Sequence, residues 1–563
     1  MSLNFTNSID PRLQALSLSQ NEMVYEIPQG VAFTNKVVQK ASHVSNQSVS
    51  FNFNAPNKNT LIDRRFYCRI RFEVTFFVDN NETAPILPFP AETFCPRAFP
   101  LASISENINI SINGTSISCK YSDVMMAYLR YASPEELFAY DLSGTPSQLD
   151  FYVNYDFYEP SRSGREPFVP LFKNTSRQLP RSAFNLISLN AGEIPAGSFG
   201  VPCTFVFEIV EPIMISPLLY ASSKLESGLI NVDNIAITIN FNDLNRVATI
   251  KSLIDATATT NIVGVPELLI EYKNIHTIDE TKIPKIVRYK YNDTNVYRTP
   301  FPYTIGIADG NTFYSATILC KPIELTVCPK KIYIYAPRIK SLGSTDAFFI
   351  TDSFFPITAI SLSYLNIGGQ FSNYSQNDLY NMSRKNGYTG SFQEWSGLAM
   401  TYTLLGSTDS ATIVSPDGLD GRIGLVGGPL CIDCTDLALP SNIASGTLVS
   451  SQLQVTVTVM NQDNVYTGAD GEIVIVIVND GIMELSENKM TTRIGYINQQ
   501  DVLAVRSNGE ITTQTFTSQL SGGMTAQGGN IIESKIQFDV ENIKDISKKS
   551  KVINNSNKKN TKK

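Results

Sequence analysis

Apolar and polar residues alternate with period two along most of this 563-residue chain, and no other feature restricts the fold so strongly. Successive side chains of a β-strand project to opposite faces, so such alternation builds a sheet with one buried face and one wet face. Phe66, Cys68, Ile70, Phe72, Val74 and Phe76 alternate with Tyr67, Arg69, Arg71, Glu73 and Thr75, which predicts one long sandwich strand. Val49, Phe51 and Phe53 predict a shorter one. Ile108, Ile110 and Ile112 lead into Asn113-Gly114, after which Ile117 and Cys119 resume the pattern. Asn-Gly accepts the positive φ angles of a type I′ turn, so this segment reads as a tight hairpin. Further alternating runs at 203–209, 235–241 and 268–272 complete one series near residue 275. A second series follows at 286–291, 332–336, 360–364, 453–459 and 471–478.

Helical signals are few and short. Ser133-Pro134-Glu135-Glu136 has the form of a helix start, with a capping hydroxyl, a proline in the first turn and acids at the positive end of the dipole. Ser375 with Asp378 three residues later has the form of a capping box, and Asn386-Gly387 that of a stop. A single core seldom grows beyond about 300 residues, so the length favours two large units over one. The expected fold class is therefore all-β: two tandem β-sandwiches, with short helices in the long loops. The expected division is an N-terminal arm (1–45), a first sandwich (46–280), a second sandwich (281–505) and a C-terminal tail (506–563).

Composition narrows the chemistry. Hydrophobic residues make up 42% of the chain and charged residues 17%, enough apolar material for large cores and too little charge for a disordered polymer. Histidine occurs only at positions 43 and 276, which makes a Ser-His-Asp triad or a histidine-rich metal centre improbable. Carboxylate-only chemistry stays open, because sequence alone does not say which acids face one another. Cys431 and Cys434 form the one CxxC, and a single such pair without histidines cannot complete a tetrahedral zinc site. Eight cysteines are too sparse for a disulfide framework, so buried free thiols are expected, and neither a metal nor an organic cofactor is implied.

No secretory leader is legible in the first twenty residues, which suggests cytosolic synthesis. The most apolar windows are 201–220, broken by Glu208, Glu211, Pro212 and Pro217, and the six-residue run 473–478; neither approaches the ~18 residues of a membrane span. Net charge is −7 but uneven, because eight lysines stand against Glu541 and Asp545 from residue 541 onward. Lys548, Lys549, Lys551, Lys558, Lys559, Lys562 and Lys563 are candidates for contact with DNA or an acidic partner, against the plainer reading of a solvated end. Gly522-Gly523 and Gly528-Gly529 read as linker. Trp395 is the one tryptophan and is expected to be a packing anchor within the subunit or, less simply, at a subunit contact.

The segments PKKIYIYAPR (329–338), TDSFFPITAISLSYLNIGGQFSNYSQNDLYNMSRKNG (351–387) and SFQEWSG (391–397) occur in an order that resembles the second jelly roll of major capsid proteins from virophages, polinton-like viruses and adintoviruses. The matching positions are Ile332 to Tyr335, Asp352, Phe354, Pro356, Ile357, Asn366, Leu379, Tyr380, Asn386, Gly387, Trp395 and Gly397. PLCIDCTDLAL (429–439), NDGIMEL (479–485) and, in the first half, NINISINGTSIS (107–118) followed by a tyrosine-rich helix are similar to that family as well. The resemblance implies a double jelly-roll subunit whose homotrimer forms a pseudo-hexagonal capsomer, with other copies, penton and minor capsid proteins as partners, in the icosahedral virion of a double-stranded DNA virus. A tandem β-sandwich glycan-binding or fibre protein would share the alternation, and is the competing expectation.

Overall fold

The computed structural model describes residues 14–19, 22–26, 34–56, 60–78, 83, 85, 94–96, 99–132, 184–190, 192–218, 228–250, 258–274, 286–303, 305, 314–339, 354–400, 422–424, 427–440, 443–461, 470–486 and 489–495. The chain divides into two compact units. One comprises 1–27 with 497–563, and its described part is an antiparallel hairpin of β1 (Gln14–Ser19) and β2 (Glu22–Glu26). The other, residues 28–496, holds two successive sandwiches.

In chain order the first sandwich comprises β3 (Thr34–Lys40), β4 (His43–Val44), β5 (Ser48–Asn54), β6 (Thr60–Ile62), β7 (Tyr67–Val78), β8 (Phe94–Pro96), β9 (Ser105–Ile112), β10 (Thr115–Cys119), β11 (Phe184–Asn190), β12 (Val201–Pro212), β13 (Asn234–Phe241), β14 (Ala248–Ile250), β15 (Ala258–Ile262) and β16 (Glu267–Asn274). One sheet runs β10-β9-β13-β5-β4. The facing sheet runs β11-β12-β7-β16-β3, with β15 also on β7 and β6 also on β16. All these pairings are antiparallel, and β12 and β7 stay in register from Val201 opposite Val78 to Pro212 opposite Tyr67. The alternation explains the core directly. Phe66, Cys68, Ile70, Phe72, Val74 and Phe76 are buried, as are Phe51 and Phe53 of β5 and the isoleucines of β9 and β13. Phe76 stacks on Phe205 with centroids 5.0 Å apart. The Asn113-Gly114 turn has φ values of 48° and 78°, the doubly positive geometry expected of a type I′ hairpin.

The sheet also draws in part of the 1–45 segment. β3 pairs with β16 from Thr34 opposite Lys273 to Lys40 opposite Glu267. It lies at the end of the sheet order, and none of Asn35–Lys40 is fully buried, so it carries no period-two signal in the sequence.

The second sandwich comprises β17 (Ile286–Pro300), β18 (Tyr314–Leu319), β19 (Ile323–Val327), β20 (Lys331–Tyr335), β21 (Arg338–Ile339), β22 (Ile357–Tyr364), β23 (Ile367–Gln370), β24 (Leu398–Met400), β25 (Arg422–Gly424), β26 (Leu430–Asp433), β27 (Leu448–Asn461), β28 (Asp470–Ser486) and β29 (Lys489–Ile494). One sheet runs β17-β28-β20-β26, with β21 and β29 also on β28; the other runs β18-β27-β22-β23, with β19 also on β27. Val455, Val457 and Val459 of β27 face Ile332, Ile334, Ile473, Ile475 and Ile477 across one core.

Among the described residues four α-helices sit in the connections: α1 (Pro100–Ile104), α2 (Tyr121–Tyr131), α3 (Gln376–Lys385) and α4 (Phe392–Ser396). α3 begins with the expected capping box: the Ser375 hydroxyl accepts the Asp378 N–H, and the Asp378 carboxylate accepts the Ser375 N–H. Asn386 caps its end, with Gly387 at φ 114° just beyond. α4 carries a second capping box, Ser391 with Glu394, and ends on Gly397 in the left-handed region. The Ser133 helix start lies outside the described residues.

Candidate functional site: the seam between the sandwiches

Strand β28 organises the molecule. Residues 473–478 read IVIVIV and are buried on both faces, so this run has no wet side and no alternation. Ile473, Ile475 and Ile477 point into the second sandwich. Val474, Val476 and Val478 point the other way and join a core that is continuous with the first sandwich, together with Tyr333, Tyr335, Phe354, Met483 and Leu485.

α2 fills the opposite side of this seam. Its residues Tyr121, Val124, Met125, Tyr128 and Tyr131 are buried, because apolar side chains spaced three and four apart share one helical face. Tyr131 packs on Tyr333 with centroids 5.2 Å apart and on Tyr388 at 5.7 Å. The Arg130 guanidinium lies over the Phe354 ring at 4.7 Å, and Tyr335 donates its hydroxyl to the Asp123 carbonyl at 2.8 Å. Farther along, the Tyr289 hydroxyl accepts the Ile230 N–H at 3.1 Å, and the Thr115 hydroxyl donates to the Met490 carbonyl at 2.8 Å.

An ion-pair cluster centred on Arg298 also lies in the seam. Arg298 of β17 pairs with Asp123 of α2 at 2.5 Å and with Glu472 of β28. Burial lifts the Glu472 pKa above the ordinary carboxylate value, and the Arg298 charge draws it back down. A guanidinium fork suits this double acceptance better than an ammonium would.

Trp395 sits at the edge of the same seam. It is 2% exposed, and its indole N–H donates to the Pro429 carbonyl at 3.1 Å. That carbonyl also accepts the Tyr131 hydroxyl at 2.5 Å, so one oxygen ties α4 and α2 to the segment entering β26. The approach requires glycine before Pro429. A Cβ on Gly428 would come within 2.8 Å of the Trp395 ring, and Gly427 has φ +81°.

Glu211 is a second buried acid, 1% exposed at the end of β12. Its two carboxylate oxygens accept the backbone N–H groups of Leu101 and Ala102, each at 2.8 Å. Burial outweighs those bonds and pushes its pKa up to about 8. Neither Glu211 nor Arg298 stands out in the sequence, where each is one of several charges on its strand.

The remaining candidates fall apart. Among the described residues no group of three His, Cys, Asp or Glu side chains is placed to hold a metal ion. The CxxC cysteines diverge: Cys431 joins the seam side and Cys434 the second core. His43 is exposed on β4. His276, the seven tail lysines and both Gly-Gly pairs lie outside the described residues. No described helix is long and apolar enough to cross a membrane.

Two antiparallel sandwiches fused through a shared aromatic wall define a protein of the double jelly-roll class. Residues 15–277 match the family model for the Sputnik virophage major capsid protein 1st domain, and residues 298–481 match that for the major capsid protein V20 C-terminal domain. The chain belongs to the virophage-type double jelly-roll major capsid proteins, which are virion components with a structural role.

The capsid protein V20 of Sputnik virophage is 23% identical over 521 residues, covering 90% of this chain and 82% of that protein. Among solved structures, the Sputnik virophage structure determined by cryo-EM superposes with a TM-score of 0.69 at 21% identity, over 91% of this chain and 96% of that one. The crystal structure of the mavirus major capsid protein superposes at 0.63 with 13% identity, over 83% and 92%.

Proposed function

We propose that three copies of this protein form a pseudo-hexagonal capsomer that tiles the icosahedral shell of a double-stranded DNA virus. The fused pair of sandwiches carries the reading. Two similar bodies held in one chain by a buried wall give a threefold assembly six similar corners, which suits six-coordinated lattice positions. In this reading residues 46–280 and 281–505 are the two jelly rolls, 1–45 is an arm and 506–563 is a tail. The chain is made in the host cytosol, catalyses nothing and meets penton and minor capsid proteins at the shell's vertices and seams. Lys548, Lys549, Lys551, Lys558, Lys559, Lys562 and Lys563 supply a weak, salt-sensitive contact to packaged DNA. Trp395 serves as an anchor inside the subunit.

Light scattering and electron microscopy of the purified full-length chain test the assembly. A three-chain species with a hexagonal outline is expected. A stable monomer that is retained on immobilised glycans would overturn the proposal and favour the tandem glycan-binding alternative.

A further inference from the structure

Cys328 and Cys434 meet in the second core with their sulfurs 3.6 Å apart. Cys328 lies between β19 and β20, and Cys434 follows β26. The backbone there is held closely: the Cys434 N–H donates to the Lys330 carbonyl at 2.9 Å, the Cys328 N–H to Thr447 at 2.8 Å, and the Gly446 N–H to the Cys328 carbonyl at 3.0 Å. A disulfide needs about 2.05 Å between sulfurs, so the pair lacks about 1.5 Å, a distance that small side-chain rotations can supply. Cys431, the sequence neighbour in the CxxC, faces the seam and is no competitor.

We propose that Cys328 and Cys434 are an oxidisable dithiol site that closes into a disulfide on reaction with a peroxide. The two thiols have unequal roles. The hydrogen bond between the two sulfurs, in which either can donate, holds the Cys328 thiol below its ordinary pKa and Cys434 above it. Cys328, as thiolate, attacks one peroxide oxygen; the O–O bond breaks, the first water leaves and Cys328 becomes a sulfenic acid. The Cys434 sulfur then attacks that of Cys328, the S–O bond breaks, and a second water carries off the hydroxyl with the Cys434 proton. Two thiols are oxidised, one hydrogen peroxide is reduced, and two waters form. The bond would close a loop of 106 residues spanning β20, β22, β23, α3, α4 and β26, restricting the unfolded chain and raising thermal stability.

The test titrates the intact protein with hydrogen peroxide, blocks residual thiols with N-ethylmaleimide in denaturant, and maps digests without reductant by mass spectrometry. The expected result is a peptide pair joined through Cys328 and Cys434, two mass units lighter than its parts and located by fragmentation. It should persist in Cys431→Ser and Cys320→Ser and vanish in Cys434→Ser, and the melting temperature should rise by several degrees on oxidation in every form that makes the bond. If methionine sulfoxide accumulates while both thiols still take up maleimide, the proposal is overturned. Sulfinic acid at Cys328 without the joined peptides, or a Cys431–Cys434 bond instead, would overturn it equally.

Discussion

Trp395 and Glu211 are both buried, and burial does opposite things to them. For the indole it is the source of stability: a large apolar ring leaves water and its single N–H finds the Pro429 carbonyl. Trp395→Ala should cost about 3–5 kcal/mol in urea unfolding, whereas Trp395→Phe should keep much of the packing and lose the hydrogen bond. For the carboxylate, burial disfavours the charged form. The Glu211 pKa is raised from 4.5 to about 8, so between those values the folded protein holds a proton that the unfolded chain releases. Its stabilising contribution is therefore complete below pH 4.5 and is lost as pH rises through 8. Denaturant melts at pH 5 and pH 8.5 should show that loss. Glu211→Gln gives up one of the two N–H bonds and lowers stability throughout, but should abolish this part of the pH slope.

Among the elements, half-buried strands were legible because their chemistry is two-faced. β7, β12, β13 and β27 each bury the side that the sequence marks as apolar. The Asn113-Gly114 turn and the Ser375 capping box were legible because each depends on a few adjacent residues. β28 was legible as a strand at 471–478 but not in its role: IVIVIV leaves no wet face, and what the strand does follows from what lies on either side of it. Val476 should be intolerant of charge for that reason. Val476→Asp places an unpaired carboxylate against Tyr333 on the neighbouring strand, and a loss above ~4 kcal/mol, or insoluble protein on expression, is expected. β3 escaped notice for the opposite reason, since it buries too little to imprint a pattern. The seam was only partly readable: its tyrosines are visible as composition, but which of them meet depends on contacts between residues hundreds of positions apart.

At the level of the whole molecule, the seam makes the two sandwiches one mechanical body, and Arg298 is its polar rivet. Removing that guanidinium leaves Asp123 and Glu472, whose side chains are 12% and 10% exposed, without their shared ion-pair partner. Arg298→Ala should lower the melting temperature and loosen the halves. Calorimetry is expected to resolve two transitions where the parent protein gives one, and limited proteolysis should separate the two halves. An unaltered single transition would show that the aromatic wall holds the halves together unaided. Because β28 lines both interiors and spans residues 470–486, a nascent chain has neither half sealed until more than four-fifths of it has left the ribosome. Before that moment each half presents a greasy flank to its surroundings. Shielding during synthesis, and swift pairing once the strand emerges, are thus demands that the architecture places on the cell in which the shell is made.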